Sequence, residues 1–538
     1  MKYILNIFLA ISLFVFITTG SLAQTSRAKR KPPPLSKDQA KEMNRQAESY
    51  YDGEVYKAAI LPYLRLVEYD PENTEFNYNL GMSYLNSNMN KPEAYKYLAK
   101  AADKKDAPKD VMFRLGQALL VAGLYDEAID AFDRYKADKG TKIDSDLNLD
   151  LHLEWCENAK KLIKTPVDVE FNNPGKKVNS KYPDYAPVAM AVDTIVYFTS
   201  NRQGSMGGTV DGYGEIVSDV FYSTLTDTIW YRAKNLGYNV NFEGYDVSTG
   251  ISSNGDKLLV YKEGNGANGD IYISNQKGKT WMKAELFDEE FDTRDYETGA
   301  CISPDGKTIY FASDRKGTLG GKDIFMSYVD STKKWSEPIN LGPEVNTPYD
   351  EDRPFIWHDG KTLFFASKGH NSMGGYDIFK TSTMDKSAKW ATPENIGYPI
   401  NNSDDNQYFT LCADGKTGYI SASRDGGLGD LDIWKFKAKD SFVPNNNILF
   451  KGQVFASNGL PAKNAKCIVT KVSTGEVQGI LTVTGRVAEF FILLPPGKYE
   501  VMARDPRAGN LQSEIVITGD EKDGMISKSF KLVPRARR

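Results

Sequence analysis

The stretch Ser303-Pro304-Asp305-Gly306-Lys307-Thr308-Ile309-Tyr310-Phe311-Ala312-Ser313 decides the fold of most of this chain. Asp305-Gly306 supplies the positive-φ turn that joins two antiparallel strands, and Thr308 to Ser313 reads as the apolar strand leaving that hairpin. Downstream, Gly320-Gly321 turns the chain into Asp323-Ile324-Phe325. Outward from there the same string recurs as Asp219-Val220-Phe221, Asp270-Ile271-Tyr272, Asp377-Ile378-Phe379 and Asp432-Ile433-Trp434, so that successive copies lie 51, 53, 54 and 55 residues apart. The hairpin recurs too, at Asn254-Gly255-Asp256-Lys257, His358-Asp359-Gly360-Lys361 and Asp414-Gly415-Lys416. A crossing piece, Trp335 to Gly342, is repeated at Trp390 to Gly397. Each unit holds about four short strands, which is one blade of a β-propeller. The pattern predicts a five-bladed propeller over 166–444, with the early strand Val167 to Phe171 standing in for the outer strand that the fifth unit lacks after Trp434. A six-bladed ring with one degenerate unit is the open alternative.

The repeated carboxylates Asp219, Asp270, Asp323, Asp377 and Asp432 are expected to be structural. A carboxylate at a strand start accepts hydrogen bonds from a neighbouring turn, and a catalytic site would need one or two such groups instead of one per blade. The acidic residues before the innermost strands, Asp184, Glu243, Glu297, Glu351 and Asp405, are candidates for a ring at one channel mouth. Such a ring would bind a cation or a basic peptide, and a solvated rim is the plainer reading.

The periodicity is helical from about Gln39 to Ile163. Small residues recur at Ala47, Gly81 and Gly116, spaced by 34 and 35 residues, each followed by a bulky Tyr50, Tyr84 or Leu119. A second set of small residues follows at Ala59, Ala94 and Ala128. A small residue on one helix lets its partner helix approach closely, and stacked pairs bury faces that no single pair can cover. The pattern resembles the tetratricopeptide repeat, over 39–165, with a capping helix around Asp146 to Ile163. A generic helical bundle is the alternative.

With 538 residues the chain is too long for one compact core and suggests about three domains. Its 67 Lys and Arg against 71 Asp and Glu leave a net charge of −4, which lacks the basic excess of a dedicated nucleic-acid binder. His152, His358 and His370 are the only histidines, and Cys156, Cys301, Cys412 and Cys467 are widely scattered. No metal or cofactor is therefore expected, and the cysteines are read as buried free thiols. The chain has no G-x-S-x-G elbow, H-E-x-x-H pair or P-loop, so it is read as a non-enzyme.

Met1-Lys2, the apolar run Tyr3 to Phe16 and the small-residue exit Thr18 to Ala23 predict a signal peptide over 1–23. An uncleaved anchor is the second reading, for which the run is short against the roughly 20 residues of a membrane span. Arg27-Ala28-Lys29-Arg30-Lys31-Pro32-Pro33-Pro34 makes 24–38 a basic, proline-rich linker. The first cysteine is Cys156, which excludes a lipid on a mature N-terminal Cys; the expected compartment is the periplasm, with outer-membrane association.

After the linker Pro444 to Asn447, alternating strands over 447–533 suit a sandwich of two antiparallel sheets. The stretches around Gly459-Leu460-Pro461, Ala465 to Thr470, Thr474-Gly475 and Pro496-Gly497-Lys498-Tyr499-Glu500-Val501 resemble the carboxypeptidase-regulatory-like domain. The Ser303 to Ser313 string likewise resembles the WD40-like repeats of TolB-type periplasmic propellers. The whole order of segments resembles the PorE-like periplasmic proteins of the type IX secretion apparatus. That resemblance implies a scaffold in the envelope whose partners are other envelope proteins, including secretion or gliding components, and no nucleic acid. In that family an OmpA-like peptidoglycan-binding domain follows, whereas this sequence ends at Arg538, so peptidoglycan is expected as an indirect partner only. A propeller that holds a glycan or peptide is the second functional reading.

Overall fold

The computed structural model describes residues 33–534 except 140–143, 145–146, 207–209, 211–215, 254, 265–266, 289–294, 384–388, 444–446, 464, 484–487, 520 and 522–523. The expected signal peptide, most of the basic linker, Asp146 and the residues Asn445-Asn446 lie outside the described set. No described helix is long and apolar enough to cross a membrane.

Among the described residues, seven α-helices come first: α1 Lys37–Asp52, α2 Tyr56–Tyr69, α3 Thr74–Leu85, α4 Ala94–Ala102, α5 Val111–Val121, α6 Tyr125–Lys139 and α7 Leu149–Leu162. Local chemistry sets their starts. Ser36 and Gln39 form a reciprocal capping box on α1, and Asn73 Oδ1 accepts from Phe76 N (3.0 Å) at α3. Close approach sets their pairing. A Cβ on Gly81 would stand 2.6 Å from Leu98, and one on Gly116 would stand 2.5 Å from the ring of Phe132. Ala47, Ala59, Ala94 and Ala128 are all fully buried in the same core. Helix α7 closes the stack with Leu149, Leu151, Trp155 and Cys156. His152 is enclosed there by Phe113, Phe132 and Trp155, and burial holds its imidazole down at about 4.

Five small antiparallel sheets follow, and their strand order gives the region its propeller-like character. The first runs Asp184–Ala189, Ile195–Ser200, Asp219–Thr226, with short outer strands Ile229–Trp230 and Lys234–Asn235. The second has Tyr245–Ile251, Lys257–Gly264 and Ala267–Lys277 at its heart, the third Glu297–Ile302, Thr308–Ser313, Asp323–Tyr328 and Ile339–Asn340. The fourth is Glu351–Ile356, Thr362–Ser367, Asp377–Ser382 and Glu394–Asn395. The fifth joins Phe409–Leu411, Thr417–Ala422 and Asp432–Ala438 to the much earlier strand Val169–Asn172. In that ladder Val169 faces Ala438 and Asn172 faces Lys435, and Lys439 N donates to Asp168 O (2.9 Å). Neighbouring sheets share apolar cores: Ala300, Phe311 and Phe325 pack with Val247 and Leu259, and the rings of Phe364 and Phe409 lie 5.0 Å apart.

The last segment folds as two sheets around one core that includes Phe450, Phe490, Phe530, Cys467 and Val501. One has the order Glu489–Leu494, Ile448–Phe455, Met525–Lys531; the other Val477–Thr482, Lys466–Lys471, Gly497–Asp505, Gly509–Ile517. The expectation of purely antiparallel sheets is corrected in one place. Ile448–Phe455 pairs in parallel with Met525–Lys531, because the chain crosses to the other sheet and back before it returns to that edge.

Candidate functional site

Four of the five sequence-predicted carboxylates begin the third strands of their sheets, and the structure places these four among turn amides. Asp219 Oδ2 accepts from Met206 N, Asp323 Oδ2 from Leu319 N (2.8 Å), Asp377 Oδ2 from Met373 N (3.0 Å) and Asp432 Oδ2 from Leu428 N (2.6 Å). All four are buried, and burial raises the carboxyls of Asp219, Asp377 and Asp432 above the usual range. Each also accepts from an asparagine that the sequence reading did not single out: Asn235, Asn340, Asn395 and Asn173. These belong to a pattern Asn-x-Gly-x-x-x-Asn, at Asn235 to Asn241, Asn340 to Asn346, Asn395 to Asn401 and Asn173 to Asn179. The first Asn of each accepts from the Gly amide and from the last Asn. The last Asn bonds both backbone groups of the residue after the Asp: Val220, Ile324, Ile378 or Ile433. The result is a clasp that ties each outer turn to its third strand. Asp270 differs, since it lies inside the longer strand Ala267–Lys277, opposite Lys262, in a sheet whose outer segment has no such motif.

The proposed acidic ring is not brought together at a channel mouth. Asp184, Glu297 and Glu351 are fully buried and bond within their own sheets. Asp184 takes Ser180 N (2.6 Å) and Arg202, Glu297 takes Arg315 Nη2 (2.8 Å) and Ser313, and Glu351 takes Thr347 N (2.7 Å), Thr347 Oγ1 and Ser367. Glu243 and Asp405 are exposed and stand out of register. The buried acceptors at their strand starts are Asp246, which takes Phe242 N (2.8 Å) and Lys262, and Asn406, which takes Asn402 N (2.7 Å). The deciding geometry is the reach to an amide four residues back. Burial pushes Glu351 and Asp246 up to about 7 and Lys262 down.

A cationic or imidazole side chain lies beside the aromatic residues of each sheet. Arg202 lies over Phe198 and Phe221, Arg315 over Phe311 and Phe325, Lys262 over Phe242 and Arg424 over Phe171. In the fourth sheet His370 takes this place against Phe365 and Phe379, with Nε2 2.9 Å from Val345 O. Burial lowers its imidazole pKa.

One strand from each of the five sheets lines a shared cavity of about 30 Å³, bounded by residues such as Ala186, Ser248, Cys301, Arg353 and Thr410. Arg353 sits in a bulge at φ 50°, with its guanidinium 5.0 Å from the ring of Tyr408. That space has room for about two waters. Ligand-sized space lies instead at one mouth, where a cleft of about 340 Å³ is walled by the first and fifth sheets and by Asn88 of the helical region.

The helical region is fastened to that same end. Lys91 Nζ pairs with Asp404 Oδ1 (2.6 Å) and Lys57 Nζ with Asp430 Oδ2 (3.1 Å). Tyr125 meets Ser403, Ser423 Oγ donates to Asn88 O (3.0 Å), Trp155 Nε1 donates to Lys368 O (3.1 Å) and Asn158 Nδ2 to Ser372 O (3.1 Å). The C-terminal region packs at the opposite end of the strands, where Leu449, Phe491 and Leu493 meet Ala191 and Ala413.

Cys156, Cys301, Cys412 and Cys467 are all buried and unbridged; burial pushes the thiols of Cys156, Cys301 and Cys467 up to about 12, far from thiolate chemistry at neutral pH. Among the described residues no group of three His, Cys, Asp or Glu could hold a metal ion.

Residues 90–141 match the tetratricopeptide repeat family. No curated protein sequence matches the chain. Among solved structures, the chain is similar to an exo-β-1,3-galactanase from Phanerochaete chrysosporium at 9% identity and TM-score 0.32, covering 64% of this chain and 98% of that one. It is similar to the BP39L lectin from Burkholderia pseudomallei at 11% identity and TM-score 0.24, covering 65% and 96%. Hydrazine synthase from Kuenenia stuttgartiensis gives 14% identity and TM-score 0.26, covering 64% and 69%. At these identities and scores nothing of their chemistry passes to this chain. Its N-terminal part is a tetratricopeptide-type helical region, the fold associated with protein partners, and it leads into a large propeller-like β region.

Proposed function

We propose that this chain is a non-enzymatic scaffold of the bacterial envelope, exported to the periplasm and associated with the outer membrane, where it holds other envelope proteins together. The five central sheets are read as the blades of one closed five-bladed ring over 166–444, and the last two sheets as a carboxypeptidase-regulatory-like sandwich over 447–533. Type IX secretion or gliding is the specific setting that the order of segments suggests. The observation that carries the reading is the placement of the two flanking regions. A helical repeat is clamped to one end of the β region by ion pairs and backbone carbonyls, and a second β module packs on the other end. This gives one extended body with interaction-type surfaces at both ends.

Cross-linking in fractionated cells, followed by capture of the full chain, tests the proposal. A chain lacking residues 39–165 serves as the control. The expected result is recovery of envelope proteins, secretion components among them, that the shortened chain fails to retain. Recovery of unrelated soluble proteins alone, or turnover of a substrate by the purified protein, would overturn it.

A further inference from the structure

The loop on which the helical region rests in the fourth sheet is repeated, uncovered, in the third. In the fourth sheet residues 368–376 lead from Ser367 to Asp377. Helix α7 lies against them: Trp155 Nε1 donates to Lys368 O (3.1 Å) and Asn158 Nδ2 to Ser372 O (3.1 Å), and Met373 beside that second carbonyl is fully buried. Residues 314–322 of the third sheet match this loop position for position. Ser313 faces Asp323 in its ladder as Ser367 faces Asp377. Asn340 Nδ2 reaches Gly317 O (3.3 Å) as Asn395 Nδ2 reaches Asn371 O (3.3 Å). Leu319 N donates to Asp323 Oδ2 as Met373 N does to Asp377 Oδ2. With start, middle and end held alike, Asp314 O and Thr318 O take the places of Lys368 O and Ser372 O. Among the described residues nothing bonds to these two carbonyls. Leu319, in the place of Met373, is 50% exposed.

The uncovered loop continues the interface already in use. A Cβ on Gly320 would stand 1.9 Å from Tyr349 O, and Tyr349 packs against the core of the helical region. The helical region runs from the fifth sheet, where Lys57 meets Asp430, to the fourth, where α7 ends it. The third sheet is the next one round, with Ile356 N donating to Cys301 Sγ (3.1 Å) between their first strands. On the far flank Tyr296 is 47% exposed, and its N donates to Asp314 Oδ1 (2.9 Å). Leu319 and Tyr296 supply apolar surface whose cover is favourable, while the two carbonyls fix direction and ask for donors. A strand would need donors and acceptors in alternation, which this loop does not offer. Trp155 and Asn158, three residues apart on one helix face, show what does fit. We infer that the third-sheet loop is a second docking site for an α-helix, brought by a partner protein. That helix lays an apolar side chain on Leu319 and donates from an indole and an amide to Asp314 O and Thr318 O. The inference rests on the scaffold reading in that the partner is a protein.

The probe is a synthetic peptide of the α7 sequence, Asn148 to Ile163, stapled into a helix and titrated against the full chain by fluorescence anisotropy under reducing conditions. The expected result is saturable binding that Leu319→Asp weakens about tenfold or more, with an unchanged melting temperature. A peptide carrying Trp155→Ala and Asn158→Ala should lose as much. Tyr296→Ala should weaken binding about threefold and carries the test should Leu319→Asp fail to fold. Absence of binding overturns the inference. So does binding indifferent to a folded Leu319 or Tyr296 variant, which would put the peptide on the site that α7 already fills. Failure here, with envelope proteins still captured by the full chain, strikes this surface alone; peptide binding without such capture strikes the envelope setting alone.

Discussion

Asn346 shows how single side chains hold the sheets in shape. Its amide accepts from Ile324 N (2.8 Å) and donates to Ile324 O (3.0 Å) while also bonding Asn340. Asn346→Ala strips Ile324 N of this acceptor and leaves Ile324 O with Leu341 N (3.1 Å), so a loss of about 1–3 kcal/mol is expected in urea unfolding. A loss below about 1 kcal/mol would show that the clasp is decorative. Glu351 gives a pH signature. Burial raises its carboxyl to about 7, against about 4.3 in an unfolded chain. Its contribution to stability is therefore complete below about pH 4.3 and is lost as pH rises through about 7. Between about pH 5 and 8 the melting temperature of Glu351→Gln should fall less than that of the unaltered protein; an equal or steeper fall refutes the assignment.

At the scale of elements, the helical repeat depends on positions without side chains. A Cβ on Gly116 would meet the fully buried ring of Phe132 at 2.5 Å, so Gly116→Ala should cost about 1–3 kcal/mol by overpacking. Thermal melting followed at the helix band in circular dichroism measures it, with an unchanged melting temperature as the contrary outcome. This was legible beforehand, because Ala47, Gly81 and Gly116 share one period. So were the Asp residues at the strand starts and the Asp-Gly turns, whose chemistry is local. The Asn-x-Gly-x-x-x-Asn clasps were legible in principle, as two asparagines six positions apart in four of the units. Register was the harder matter. Glu243 and Asp246, or Asp405 and Asn406, are equally plausible by composition, and only the reach to an amide four residues back selects the inner one. The docking of the helical region could not be read at all. Three of its contacts fall on backbone carbonyls, at Lys368, Ser372 and Asn88, which no side-chain pattern encodes.

At the scale of the whole molecule, two ion pairs among the described residues bridge the helical region and the β region, Lys91–Asp404 and Lys57–Asp430. Lys57→Glu with Lys91→Glu places like charges against both aspartates and should release the helical region, seen as a larger radius of gyration in X-ray scattering at low salt. Adding Asp404→Lys and Asp430→Lys should restore the compact form. An unchanged radius in the first variant would mean that Trp155, Asn158 and Tyr125 suffice to hold the region in place.

The pairing of Val169–Asn172 with Asp432–Ala438 has a mechanical consequence. The chain enters the β region at Val169 and leaves it at Ala438, and those two residues face each other at the same end of one ladder. Tension applied to the two flanking regions would therefore peel that ladder apart one pair at a time, like a zipper, instead of shearing all its hydrogen bonds at once. The β region has a weak seam where its two chain ends meet, and a stretched molecule would part there first, while the other four sheets still stood.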